Sequence, residues 1–275
     1  GTYNATTHAN GTIINSRHSS LGRGLSMGSV DRLVHNNGKI VFQGASAIQL
    51  ILINGTATSS VGLYDVEINS TAAADCKLTG PIDIYRNLTI TAGELDTNSS
   101  DNHALTVDGD VNIANGGTLT GNASAISMNS LTLGESSAGG TYNATSGTTT
   151  ISGYRSSTNN AIYANGAIVH NSGTFAFTDS SNYSGIEIQI ESGAGSAGTY
   201  FNDVTFSGDS TYRFPYYGAT DVTVSGDLTM SGTPDIKQWR RNLIVTGDVT
   251  IGSGCVYDCE GSGVDGVDSD FTAGS

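Results

Sequence analysis

A nine-residue pattern, apolar-x-apolar-x-Gly-Asp-apolar-x-apolar, occurs three times in a chain of 275 residues. It runs from Leu105 to Ile113 around Gly109 and Asp110, from Val222 to Met230 around Gly226 and Asp227, and from Leu243 to Ile251 around Gly247 and Asp248. The last two copies begin 21 residues apart. Apolar residues alternating with Thr, Ser and Asn have the period of a strand with one dry and one wet face. The glycine falls on the inward parity, which suits a corner where the chain bends around a narrow interior. The aspartate after it is placed to accept hydrogen bonds from nearby backbone N–H groups and hold the bend. Strand, corner and strand repeated every ~20 residues are what a coiled solenoid requires, each turn burying its inward side chains against the turns above and below. The expected fold is therefore all-β, a right-handed parallel β-helix. At ~20 residues per rung and ~4.8 Å between rungs, the chain would make about 13 rungs and a rod of roughly 60 Å. The alternative is a pair of tandem β-sandwiches, which also place short strands between Gly-rich turns. The close recurrence of the last two copies favours the solenoid.

A longer repeat contains the shorter one. Residues 1–6 and 140–145 are the same six letters, Gly-Thr-Tyr-Asn-Ala-Thr. Val34-His35-Asn36-Asn37-Gly38 matches Val169-His170-Asn171-Ser172-Gly173, each followed by an apolar stretch ending in Phe42 or Phe177. Tyr64-Asp65-Val66 matches Asn202-Asp203-Val204, Pro81 matches Pro215, and Leu105 to Ile113 matches Leu243 to Ile251. The chain is read as two divergent copies of one unit, 1–139 and 140–275, the second continuous with the first.

Composition narrows the function. Eleven Lys+Arg face 25 Asp+Glu, a formal charge of −14, and Gly supplies 37 residues. So glycine-rich a chain disfavours helical folds, and so few cations argue against nucleic-acid binding, which needs clustered Lys and Arg. Membrane insertion by a helix is not expected either: the longest apolar run, Ile48 to Ile53, is strand-sized and interrupted by Gln49. The Gly-Asp corners are not phosphate loops, since no Lys follows them.

Chemistry-bearing groupings are few. Thr211-Tyr212-Arg213-Phe214-Pro215-Tyr216-Tyr217 concentrates aromatics in a chain that is 7% aromatic. Exposed, Tyr212, Tyr216 and Tyr217 would suit a carbohydrate or protein partner; buried, they are core. The only tryptophan, Trp239, stands beside Arg240 and Arg241 between two Gly-Asp rungs. It reads either as a contact loop, through cation–π or sugar stacking, or as a lid on the solenoid edge or against a neighbouring subunit. Asp265, Asp268 and Asp270 lie among C-terminal glycines; they offer oxygen ligands for Ca2+ but miss the EF-hand spacing, and no other cofactor is expected. Cys255 and Cys259 are close enough in sequence for a local disulfide, and Cys76 reads as a small buried hydrophobe. His35 and His170 occupy matching positions before Asn-x-Gly and read as turn residues.

Asn87-Leu88-Thr89-Ile90-Thr91-Ala92-Gly93-Glu94-Leu95-Asp96-Thr97, followed by Leu105-Thr106-Val107-Asp108-Gly109-Asp110-Val111, resembles the repeats of large secreted β-solenoid surface proteins, such as bacterial adhesins and the structural or tail-fibre proteins of marine bacteriophages. The resemblance implies architecture and an extracellular, cell-surface or virion setting, and it identifies no catalytic residue. The resulting expectation is a non-enzymatic structural or adhesive module, a rigid rod that associates with copies of itself. The alternatives are a receptor module for cell-surface glycan, using the aromatic and arginine residues above, and a polysaccharide lyase or hydrolase.

Overall fold

A computed structural model describes residues 3–4, 11–14, 23–27, 29, 33–44, 49–53, 55–70, 76–134, 138–191, 200–214, 221–238, 242–258 and 271–273. Among these there is no helix, and strands of two to nine residues pair in parallel from coil to coil. The chain is a parallel β-solenoid. Among the described residues, neighbouring strands never form the antiparallel facing layers of a sandwich, so the tandem-sandwich alternative is excluded.

Each coil contributes three short strands to three faces. The residues Ile84, Val107, Met128, Ile151, Phe177, Phe206, Met230 and Ile251 are paired in unbroken succession down the first face. A second face carries Ile14, Phe42, Ile68, Ile90, Ile113, Leu133, Ala164 and Ile190, again eight levels in continuous register. The third holds Cys76, Leu95, Leu119, Tyr142 and Ile168, and its later strands pair Val224 with Val245. Register steps on the first face vary, from as short as Val107 to Met128 to as long as Phe177 to Phe206. Most coils are thus longer than the recurrence of the last two Gly-Asp copies suggests, and the chain makes fewer of them than expected. The eight levels of either column, at ~4.8 Å apart, span about 34 Å.

Alternation in the sequence produces the core directly. Val222–Val224, Leu228–Met230 and Asp235–Gln238 all bury every second side chain. From Ile84 to Met230 no member of the first-face column is more than 1% exposed. Each such side chain contributes about 1.5–3 kcal/mol by leaving water. The core is aliphatic in the earlier coils and aromatic in the later ones. Phe177 stacks on Phe206 at 4.8 Å, and Tyr142, Phe175 and Phe201 follow edge to face.

The two sequence copies form one continuous column and are not in phase with it. Val34 lies on the first face and Lys39–Phe42 on the second; their counterparts Val169 and Thr174–Phe177 lie on the third and the first. Leu105 to Ile113 passes from first face to second, whereas Leu243 to Ile251 passes from third to first. The repeated unit is therefore five and two-thirds coils long, and the second copy is set back by one face. Local geometry is nonetheless kept. Asn36 and Asn37, and likewise Asn171 and Ser172, have positive φ in the two central positions of a tight turn. Gly38 N–H donates to His35 O at 2.6 Å and Gly173 N–H to His170 O at 3.0 Å. In both turns the imidazole Nδ1 accepts from the residue two places on, at 2.9 and 3.0 Å.

Candidate functional site

The Gly-Asp corners form inter-coil ladders. At the corner between first and second faces, the Asn87 backbone N–H donates to Asp65 Oδ1 at 3.2 Å, and the Asp110 N–H to Asn87 Oδ1 at 3.0 Å. Asp110 Oδ1 in turn accepts from Ser130 Oγ and Asn129 Nδ2, both at 2.8 Å. At the corner between third and first faces, Asp227 N–H donates to Asp203 Oδ1 and Asp248 N–H to Asp227 Oδ1, each at 2.9 Å. Each side chain thus secures the next coil as well as its own bend. The glycines have a related cause, which corrects the expectation of a crowded interior. A Cβ on Gly109 would lie 2.1 Å from Arg86 O, one on Gly226 2.0 Å from Asp203 Oδ1, and one on Gly247 2.4 Å from both Asp227 Oδ1 and Gly226 O. The obstacle at every corner is the preceding coil.

Tyr212 belongs to the core and not to a contact surface. It is 1% exposed, packs against Phe177 and Phe206, and its hydroxyl accepts the buried Asp179 N–H at 3.1 Å. Burial raises its pKa. The reason is parity: in Thr211–Phe214 the inward positions are Tyr212 and Phe214. Tyr216, Tyr217, Trp239, Arg240, Arg241, Cys259, Asp265, Asp268 and Asp270 lie outside the described residues. Strands flanking the first five of these, Thr211–Phe214 with Asp235–Gln238 and Val222–Val224 with Leu243–Val245, are paired one coil apart. Cys255 is a half-buried thiol 3.6 Å from Gly232 O with no disulfide partner among the described residues, and Cys76 is buried. Among the described residues, no group of three or more His, Cys, Asp or Glu is placed to hold a metal ion, and no helix is long and apolar enough to cross a membrane.

A groove on the second face went unnoticed in the sequence. Its outward column steps Thr132, Tyr163, Gln189 over three coils. The register step here, Leu133 to Ala164, is the longest on this face, and residues 152–159 stand as a protrusion between its first-face and second-face strands, where the coil before turns directly from Met128 to Leu131. That protrusion is closed on itself: Arg155 N–H donates to Asn160 O, Asn159 N–H donates back to Arg155 O, both at 2.8 Å, and Asn159 adopts φ +62°. Tyr154 stacks on Tyr183 of the next coil at 4.6 Å, propping the wall. The groove is open to solvent, with a volume of about 440 Å3. Its floor holds two buried polar side chains, Thr132 and Asn160, at 3% and 4% exposure. Arg155 and Thr158 line one side, and Tyr163, Glu187 and Gln189 complete it. Asn160 Nδ2 reaches Gln189 Oε1 at 3.5 Å, and Gln189 Nε2 donates to Glu191. Burial raises the Glu187 pKa, with Arg213 of the next coil opposing the rise, and burial also raises that of Tyr163, with Glu191 adding to it. The arrangement offers amides, hydroxyls, a guanidinium and a carboxylate around one phenol ring.

Fold and register define the class, a β-solenoid repeat protein. Comparison of the chain with protein-family models, curated proteins and solved structures finds no match in any of the three.

Proposed function

We propose that this chain is a rigid structural module of an extracellular, cell-surface or virion assembly, of the adhesin or phage-fibre kind, which acts mechanically and associates with copies of itself. The observation that carries the reading is the unbroken eight-level register on two faces, reinforced at the corners by side chains that bond the next coil. Bending such a column strains many parallel hydrogen bonds and a close-packed interior together. The hydroxyl-rich exterior with few cations suits a hydrated, protease-resistant surface. Self-association is supported by large apolar side chains on the surface: Ile13 is 50%, Val169 45% and Val256 53% exposed.

Small-angle scattering and electron microscopy of the purified chain over a concentration series test this. The expected result is an elongated particle that lengthens along one axis as concentration rises and resists proteolysis. A compact monomer at every concentration, or release of oligosaccharide from a polysaccharide substrate, would overturn it.

A further inference from the structure

The groove on the second face goes beyond a mechanical role, and the inference drawn from it stands independently of the rod reading. We infer that the cleft between the 152–159 protrusion and the outward column Thr132–Tyr163–Gln189 is a binding site for a short segment of a neutral oligosaccharide. Volume comes first: about 440 Å3 falls within the roughly 300–1,000 Å3 of ligand pockets. The lining decides the chemistry. No aliphatic side chain is among the described residues of the wall, so its apolar surface is the Tyr163 ring and the carbon stems of side chains that end in polar groups. The planar amides of Asn160 and Gln189, the Arg155 guanidinium and the Glu187 carboxylate each present two polar atoms side by side, the geometry that neighbouring sugar hydroxyls match. Tyr163 supplies a half-exposed ring among them, rigid and amphipathic, suited to the C–H face of a pyranose.

Charge then selects against an acidic polymer. Glu187 is opposed by Arg213 of the next coil, Glu191 stands beside Gln189, and the chain as a whole carries −14. A polyanion would be repelled on approach and unneutralised once bound. Preorganisation is also built in. Asn160 is buried and tied to Gln189, the protrusion is closed by its own backbone hydrogen bonds, and the Glu187 N–H is held by Asn159 O at 2.8 Å. Little ordering remains for a ligand to impose, which favours affinity.

The test is calorimetric titration of the intact chain with four neutral hexasaccharides, built from glucose, mannose, galactose and xylose, and with hexagalacturonate as the anionic comparator. At least one neutral sugar is expected to bind. Tyr163→Ala and Gln189→Ala should each weaken it at least tenfold, while Val169→Thr, an exposed position on the third face, leaves it unchanged. Thr158→Trp fills the mouth from an exposed site and should abolish binding with the fold intact, which keeps the test decisive if Tyr163→Ala does not fold. The inference is overturned if no neutral sugar binds, if hexagalacturonate binds more tightly, or if binding survives Thr158→Trp. None of these results alters the shape of the particle, so failure here leaves the rod reading standing.

Discussion

Gly109→Ala isolates the vertical fit between coils. The added methyl would sit 2.1 Å from Arg86 O and 2.7 Å from both Arg86 C and Asn87 Oδ1, whereas real Cβ atoms do not come within 3.0 Å of such neighbours. One coil must therefore move by about 0.9 Å, and the obstruction is backbone, which cannot rotate away. That displacement stretches the 3.0 Å bond from Asp110 N–H to Asn87 Oδ1, worth about 1 kcal/mol. It also parts Val111 from Leu88, paired directly beneath it, for a packing loss of about 1–3 kcal/mol. The expected cost is about 2–4 kcal/mol. Gly185→Ala is the control: its Cβ would meet only side chains, no nearer than 3.4 Å, so the substitution should be neutral or stabilise by about 0.4–1 kcal/mol through the unfolded chain. Solenoids lose cooperativity readily, so equilibrium denaturation should be paired with hydrogen exchange, the lost protection centring on residues 82–131. A cost below ~0.5 kcal/mol for Gly109→Ala would refute coil-on-coil contact as the reason for the glycine.

Two further substitutions probe the interior and the pH response. Tyr212→Phe keeps the ring but leaves the buried Asp179 N–H without its acceptor, so it should cost about 1–3 kcal/mol in a denaturant titration; a neutral result would mean that water reaches this site. Asp83 has one oxygen on the Ala57 N–H at 2.9 Å, while its Oδ1 is buried without a hydrogen-bond partner among the described residues. Burial, and secondarily nearby Asp108, raise its pKa against the lowering effect of Ala57. The folded state thus holds this proton more tightly than the unfolded state. The associated stability is full below the usual aspartate range and is lost as pH rises through the raised value. Relative to the parent, Asp83→Asn should accordingly gain melting temperature between pH 4 and pH 7, and a loss over that interval would contradict the sign.

Alternation and the Gly-Asp corners made the solenoid legible, because inward and outward parity is written locally in every strand. The same rule applied to Thr211–Phe214 puts Tyr212 inside; counting aromatics rather than reading their parity obscured it. Coil length was not legible. On the second face, turns absorb both the short step from Ile113 to Leu133 and the much longer one from Leu133 to Ala164 without disturbing register, so no period in the sequence reports it. The groove was hidden for a related reason. Thr132, Tyr163 and Gln189 are far apart along the chain, and each reads as an ordinary outward polar position. The available signal was the polar stretch Ser152-Gly153-Tyr154-Arg155-Ser156-Ser157-Thr158-Asn159 between two apolar strands, which lengthens a corner that the coil before makes within one strand and raises a wall beside that column.

The phase of the two copies shows what the sequence does specify. A unit of five and two-thirds coils cannot place its corners on the same faces twice, yet matched segments keep the same turn and ladder geometry one face apart. Each corner therefore encodes a bend relative to the coil beneath it and no absolute face. Excision of residues 66–203 tests this, since it joins Asp65 to Val204 at matching repeat positions although the two sit on different faces of the intact rod. Nearest-neighbour stacking predicts a shorter, folded solenoid with roughly half the original stability, because each interface contributes on its own. Removal of residues 91–113, one full level between the paired Ile90 and Ile113, should fold as well. If the one-level deletion retains its strand signature and a cooperative melt while the longer deletion loses both, then face identity is encoded after all, and the local account of the corners is wrong.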